Sequence, residues 1–382
     1  MRTPSHGERN SVSSHILRLE DEHKLLVRQL RLHGQASRSE LASRIGTSNA
    51  ALTKVSRELL TLGLIEEVSG EEVHGRGRPA VPLRVSALGG YAVGATLHKG
   101  MLSIALVNYA GRTIATAEEP FASADPRVFA GTVRRRMYEL ADRHHMLGVR
   151  LLGVGVGVPA PIRSLEKGHW HLVEELAPWR DIPLGEVIAE EVGLPVWIEN
   201  DANAAALAEY YIGGVLRNHA NMVTLLLGYG LGAGVILDRR LHRGEYGKAG
   251  EIGIFIPSSP RPSTLDLLAT LRADGCDISS IGDFENATRE FGPTIDAWVA
   301  RAAKQLQPIV NGALVWFDPG AIVISSPLPK SLLTRLAQRL NGSELLQVVP
   351  WMRSPEVRVS DLGSLATTLG AALLPIHAST ET

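Results

Sequence analysis

A hairpin of apolar strands followed by helices occurs twice beyond residue 86 of this 382-residue chain, and that repetition restricts the fold more than any other feature. In the first copy Tyr91–Leu97 reverses at His98-Lys99-Gly100, returns as Met101–Val107, and turns through Asn108–Arg112 into Thr113–Thr116. The alternation predicts an antiparallel meander. A helix is expected from about Pro126 to His145. Leu151–Val158 then reads as a buried strand ending at Pro159-Ala160-Pro161. The second copy runs from Met222 to Gly228, turns through Tyr229-Gly-Leu-Gly232, and returns as Ala233–Leu237. A polar loop, Arg239–Gly250, follows. Helices at about Thr294–Trp316 and Pro329–Leu340 surround a strand at Ala321–Ser325, and a last helix covers Leu362–Leu374. Two related lobes with a cleft between them are the expected outcome, and such clefts are favoured places for small molecules.

Between the copies, an extended run (Leu194–Ile198) delivers Glu199, Asn200 and Asp201 to the start of an alanine-rich helix. Open α/β folds bind ligands at such strand ends. Asp201 can accept a proton from a substrate hydroxyl, or simply hold that hydroxyl. Alternatively, Asn200 or Asp201 only caps the helix. Both readings stay open on these residues alone.

The first 85 residues have another character. The formal net charge of the whole chain is −1, yet Arg28 to Arg57 contains six basic residues and one acid, Glu40. Residues 1–16 lack periodicity and read as a disordered lead-in. Residues 17–85 are expected to form a winged helix-turn-helix. A helix from about Glu20 to Leu32 ends at Gly34, and Ser37-Arg-Ser-Glu40 is a capping box. Gly46 makes the turn, and Thr47 or Ser48 caps a third helix running to about Thr61. Leu64–Val68 and Pro82–Val85 flank a loop containing Gly75-Arg-Gly-Arg-Pro79. Ser48, Asn49, Thr53, Lys54 and Arg57 suit phosphates and base edges in a major groove, and Arg76 and Arg78 suit a narrow minor groove. Double-stranded DNA is the partner this pattern predicts.

Cys276 is the only cysteine, which excludes an intramolecular disulfide and a thiolate zinc cage. No apolar run is long enough to span a bilayer and the N-terminus is polar, so a cytoplasmic protein with no membrane partner is expected.

Several blocks together resemble the ROK family of repressors and sugar kinases. They are Gly153–Pro159, Trp179 with Ile182-Pro-Leu184, Pro195–Glu209, Gly228–Gly234, Gly244–Gly253 and Asp318–Ile324. The resemblance implies an N-terminal winged helix-turn-helix plus an α/β actin-like, ribonuclease-H-like two-lobed domain over residues 86–382. It implies that Asp201 matches the general base of the kinases, and that Asn200 and Glu251 hold sugar hydroxyls. The family's phosphate loop is replaced by Thr96-Leu-His-Lys-Gly100, Tyr229 replaces a threonine in the second phosphate turn, and Ser325-Ser326 stands in the adenosine loop. Phosphoryl transfer depends on positioning ATP and its metal, so no enzymatic activity and no catalytic residue are expected. The family's zinc site is lost as well, with Ile254 in place of its histidine, so no metal or cofactor is expected. Asp266 is expected to replace in part a sugar-contacting glutamate. The resulting expectation is a sequence-specific transcriptional regulator, a homodimer or homotetramer. A sugar or sugar-phosphate effector would bind Asn200, Asp201, Glu251 and Asp266. A sugar kinase with an appended DNA-binding domain and a ligand-independent regulator are the other readings.

Overall fold

The computed structural model describes residues 17, 19–68, 81–164, 166–257, 259–278, 284, 290–342 and 355–380. The lead-in 1–16, Arg76 and Arg78 lie outside the described residues.

Leucines at helical spacing build the N-terminal unit. It consists of α1 (Asp21–His33), α2 (Arg38–Ile45), α3 (Asn49–Thr61), β1 (Ile65–Glu67) and β2 (Leu83–Val85). Leu26, Leu30, Leu41, Leu52, Leu59 and Leu64 are fully buried where these elements meet. Ser37 accepts from the Glu40 amide while the Glu40 side chain takes the Ser37 amide, completing the capping box. Ser48, rather than Thr47, caps α3 by accepting from Ala51 N. Caps of this kind contribute about 1 kcal/mol each. β1 and β2 pair antiparallel, with Ile65 opposite Val85. The unit joins the rest through a single 3-10 turn, Ala87–Gly89. It docks through Arg31, whose Nη1 donates to Tyr109 O at 2.6 Å and whose guanidinium lies 4.5 Å from the Tyr109 ring centroid. Arg150 adds a bond to Gly89 O.

The first lobe contains β3 (Tyr91–His98), β4 (Met101–Asn108), β5 (Thr113–Pro120), α4 (Pro126–Arg143), β6 (Leu151–Val158), β7 (Ile162–Ser164), β8 (His169–Trp170), α5 (Leu184–Val192) and β9 (Val196–Asn200). The helix α6 (Asp201–Tyr211) follows at once. The second lobe contains β10 (Met222–Leu227), β11 (Leu231–Leu237), β12 (Arg240–Leu241), α7 (Thr264–Ala273), α8 (Gly292–Phe317), β13 (Ala321–Ser325), α9 (Lys330–Leu340) and β14 (Glu356–Val359), and α10 (Ala366–Ala378) closes the chain. The sheet orders are β5-β4-β3-β6-β9 and β12-β11-β10-β13-β14. In both sheets the first pairings are antiparallel and the last two parallel, so the lobes repeat one plan.

α6 and α10 cross between the two sheets, α10 against β3, β4 and β6, and α6 against β10 and β11. This crossing explains the glycines in the strands. A Cβ at Gly94 or Gly155 would overlap the α10 backbone at Thr368 or Ala371, and one at Gly234 would lie 2.5 Å from Ala202 O. Gly370 lies against the Ala204 carbonyl, where no Cβ fits. Because it is buried from Ala202 to Tyr210, α6 needs small side chains on nearly every face.

Three boundaries depart from expectation. β11 starts at Leu231, paired with Leu227, so the hairpin turn is only Gly228-Tyr229-Gly230. The last helix starts at Ala366, after a 3-10 turn opened by Gly363 at φ 57°, and runs past Pro375 to Ala378. α5, α7 and β14 were not anticipated.

Candidate functional site

The strand-to-helix junction at Asn200-Asp201 opens on a cavity of about 560 Å³ between the lobes. Asn200 is the helix cap. Its Oδ1 accepts from Ala202 N (2.9 Å) and Asn203 N (3.1 Å), and its Nδ2 donates to Ala160 O (3.1 Å). The capping alternative thus holds for Asn200, whose amide oxygen is already occupied, while leaving Asp201 available to a ligand. Asp201 is the first residue of α6, partly accessible from the cavity, and its Oδ1 accepts from Ala202 N at 2.8 Å. Burial and the nearby Glu251 carboxylate push its carboxyl up to about 7, against the opposing pull of the Ala202 amide. Glu251 also lines the cavity, and burial raises its carboxyl, with Lys248 pulling the other way. Two carboxyls that share a partly desolvated space titrate high.

Asp266 does not join them. It sits in the first turn of α7 and turns away from the cavity, its Oδ2 accepting from Trp298 Nε1 (2.6 Å) and Arg301 Nη2 (2.7 Å) of α8. A half-buried carboxylate takes the nearest strong donors, and these lie on α8 rather than across the cleft. The expectation for Asp266 is therefore corrected. Arg261 was not anticipated as a lining residue. It enters the cavity wall from the segment before α7, with Nη2 on Gly253 O (2.6 Å) and Ile256 O (2.7 Å).

His98 and Lys99, at the hairpin reversal, line the cavity too. The His98 ring stacks on Tyr229 of the second lobe with centroids 6.1 Å apart and planes at 28°. Burial lowers the His98 imidazole to about 4. Lys99 pairs with Glu175, which also lines the cavity. Thr96 is buried on Thr368 (2.8 Å), Ser325 on the Glu209 carboxyl (2.8 Å) and Ser326 on Leu227 O (2.6 Å). Thus Thr96, His98, Lys99, Tyr229, Ser325 and Ser326, which depart from the phosphate and adenosine loops of the kinase pattern, all make internal contacts, whereas Ile254 is exposed. His169 and His171, flanking Trp170, do not line the cavity.

On the N-terminal unit, Ser48, Asn49, Lys54 and Arg57 are exposed and Thr53 is half-buried, along one side of α3. Thr53 Oγ1 donates to Asn49 O at 2.7 Å and Ser48 serves as the cap, so Asn49, Lys54 and Arg57 are the side chains of this set with no internal bond described. Among the described residues no group of three or more His, Cys, Asp or Glu could hold a metal ion, and no helix is long and apolar enough to cross a membrane.

Residues 101–264 match the family model described as the ROK family. The chain is 29% identical over 343 residues to the protein y4fQ of Sinorhizobium fredii, covering 89% of this chain and 86% of that protein. It is 29% identical over 284 residues to the xylose repressor of Caldicellulosiruptor bescii, covering 73% of this chain and 66% of the repressor. The solved structure of a ROK family transcriptional regulator, a homologue of the E. coli MLC protein, superposes with a TM-score of 0.71 at 24% identity, covering 94% of this chain and 96% of that one. The ROK hexokinase of Thermus thermophilus superposes with a TM-score of 0.58 at 25% identity over 74% of this chain and 97% of its own. Regulators and kinases therefore share this two-lobed fold.

Proposed function

We propose that this chain, which carries a ROK-family domain, is a sequence-specific DNA-binding transcriptional regulator, acting as a repressor and controlled by a sugar or sugar-derived effector in the interlobe cavity. The observation that carries the proposal is the division of that cavity. Asp201 and Glu251 line it with carboxyls suited to sugar hydroxyls, while His98 and Tyr229 fill the side on which a kinase would hold phosphates. This division favours a site that holds a sugar over one that also holds a phosphoryl donor. The relatives named as xylose repressors and the regulator related to MLC point the same way.

The unit before residue 86 supplies the other half. The exposed side of α3, with Asn49, Lys54 and Arg57, is suited to a major groove, and α1 holds the unit on the body of the protein through Arg31 on Tyr109. A homodimer or homotetramer would present two such helices to half-sites about 34–36 Å apart, or a multiple of that, in a cytoplasmic operator complex. Effector binding would shift an equilibrium between lobe arrangements by its different affinity for each.

One observation favours the second reading, a sugar kinase with an appended DNA-binding unit. A carboxyl near 7, as at Asp201, is what a general base requires. The discriminating experiment is a sugar and sugar-phosphate panel followed by thermal shift and fluorescence anisotropy on operator DNA, repeated with Asp201→Ala, beside an assay for ATP-dependent hexose phosphorylation. Stabilisation by a sugar that changes DNA affinity, is lost in Asp201→Ala and comes without phosphorylation supports the regulator. Turnover of ATP with any hexose overturns it.

A further inference from the structure

A second cavity, of about 300 Å³, lies at the junction of the N-terminal unit with the lobes, and its wall is cationic. Arg28 and Arg31 reach it from α1, Arg239 from the β11–β12 turn, Arg240 from β12 and Arg243 from the loop after it, and no Asp or Glu lines it. Its aromatic side is Tyr211, at the end of α6, packed on His377 of α10 with centroids 4.1 Å apart. Guanidiniums gathered around so small a space favour an anion among them, and Glu199, paired with Arg243, supplies one carboxylate at its edge. Those bonds that are described leave donors over. Arg239 gives Nη1 to Leu216 O (3.0 Å), Arg243 gives Nε to Glu199 Oε2 (2.7 Å), and Arg31 gives Nη1 to Tyr109 O (2.6 Å). Nε and Nη2 of Arg31 are buried with no hydrogen-bond partner among the described residues. A buried charged donor left unpaired is strongly unfavourable and points to a missing acceptor.

We propose that this cavity binds a phosphate-bearing anion that bridges α1 to the second lobe and so clamps the DNA-binding unit onto the body of the protein. The guanidinium fork matches phosphate oxygens two at a time, which is why arginines rather than lysines suit such a site. The field is visible in His377, whose imidazole is held down to about 3 by burial together with Arg31 and Arg243. The site is tied to the sugar cleft through Glu199. That carboxylate takes Arg243 on one oxygen and the Asn200 backbone N–H on the other, at 2.9 Å.

The test uses the full chain without sugar and measures thermal shift and calorimetric binding of inorganic pyrophosphate and of glucose 6-phosphate, against chloride at matched ionic strength. Saturable stabilisation is expected, with affinity falling at least fivefold in Arg240→Ala and in Arg28→Gln, both at the cavity wall. It should persist in Asp201→Ala, which separates it from the sugar cleft, and in Lys54→Ala/Arg57→Ala, which separates it from α3. Whichever probe binds more tightly identifies the source, free phosphate or a phosphate ester. A shift that merely follows ionic strength overturns the proposal. So does an affinity unchanged in both wall variants, or one lost instead with Asp201 or with the α3 pair.

Discussion

His98 of the first lobe and Tyr229 of the second stack across the cleft, 6.1 Å between ring centroids, at the two turns where the sheets come closest to the ligand space. Each ring belongs to a different hairpin of the repeated plan, so the stack reports directly on the angle between lobes.

Removing it should loosen closure. An aromatic pair contributes about 0.5–1.5 kcal/mol beyond its buried area, so Tyr229→Ala should weaken effector binding by about 2–13-fold, while Asp201 keeps its place in the cavity wall. Isothermal titration measures this. An unchanged affinity would mean that α6 and α10 alone set the lobe angle.

Asp201 gives a pH dependence with a definite sign. Its folded carboxyl titrates at about 7, above the ordinary 3.8, so the native state holds this proton where the unfolded chain has lost it. The stability it contributes is full below about pH 4 and is lost as pH rises to about 7. Asp201→Asn removes that loss. The melting temperature of the variant, relative to the parent, should therefore be more favourable at pH 8 than at pH 5. A difference that is flat with pH, or that runs the other way, would show that the carboxyl is not held protonated.

On DNA, Lys54→Ala and Arg57→Ala should each weaken binding to operator and to random duplex alike. Each should also flatten the dependence of log affinity on log salt by about 0.9 per phosphate contact removed. Asn49→Ala should change base preference with little effect on that slope. Anisotropy titrations across a salt series separate the three. A salt slope identical to the parent in both basic variants would move the DNA surface away from α3.

The helix crossing makes a stability prediction with a built-in control. A Cβ at Gly370 collides with the Ala204 carbonyl, backbone that cannot swing aside, so Gly370→Ala should lower stability by about 3 kcal/mol or more. Gly312 lies inside α8 with nothing within 4 Å of its would-be Cβ, and Gly312→Ala should raise stability by up to about 1 kcal/mol. Urea midpoints settle both.

Local chemistry carried much of the fold into the sequence. The Ser37–Glu40 capping box, the reversal at Lys99-Gly100 and the strand-to-helix step at Asn200-Asp201 are each determined by residues within a few positions of one another, and each forms as read. Glu251 could be placed beside Asp201 only through resemblance, because fifty residues and a hairpin separate them. Asp266 went astray for the same reason in reverse. Its place in the sequence suggested the role, but Trp298 and Arg301, more than thirty residues later, decide where the carboxylate points. The arginine cavity left a trace in Arg239-Arg240 and Arg243, which reads as solvated loop until the fold sets Arg28 and Arg31 opposite.

α6 has one end in each cavity, Asp201 in the one between the lobes and Tyr211 among the arginines, and its 11 residues span about 16 Å. Buried nearly all round and pinned at Ala204 against Gly370, it has the makings of a beam on a fulcrum. Close-packed interiors do not absorb displacement, so a tilt imposed at Asp201 must reappear at Tyr211, beneath α1. Occupants of the two ends then weigh on the same beam, and whatever factor one imposes on the affinity of the other is returned in full.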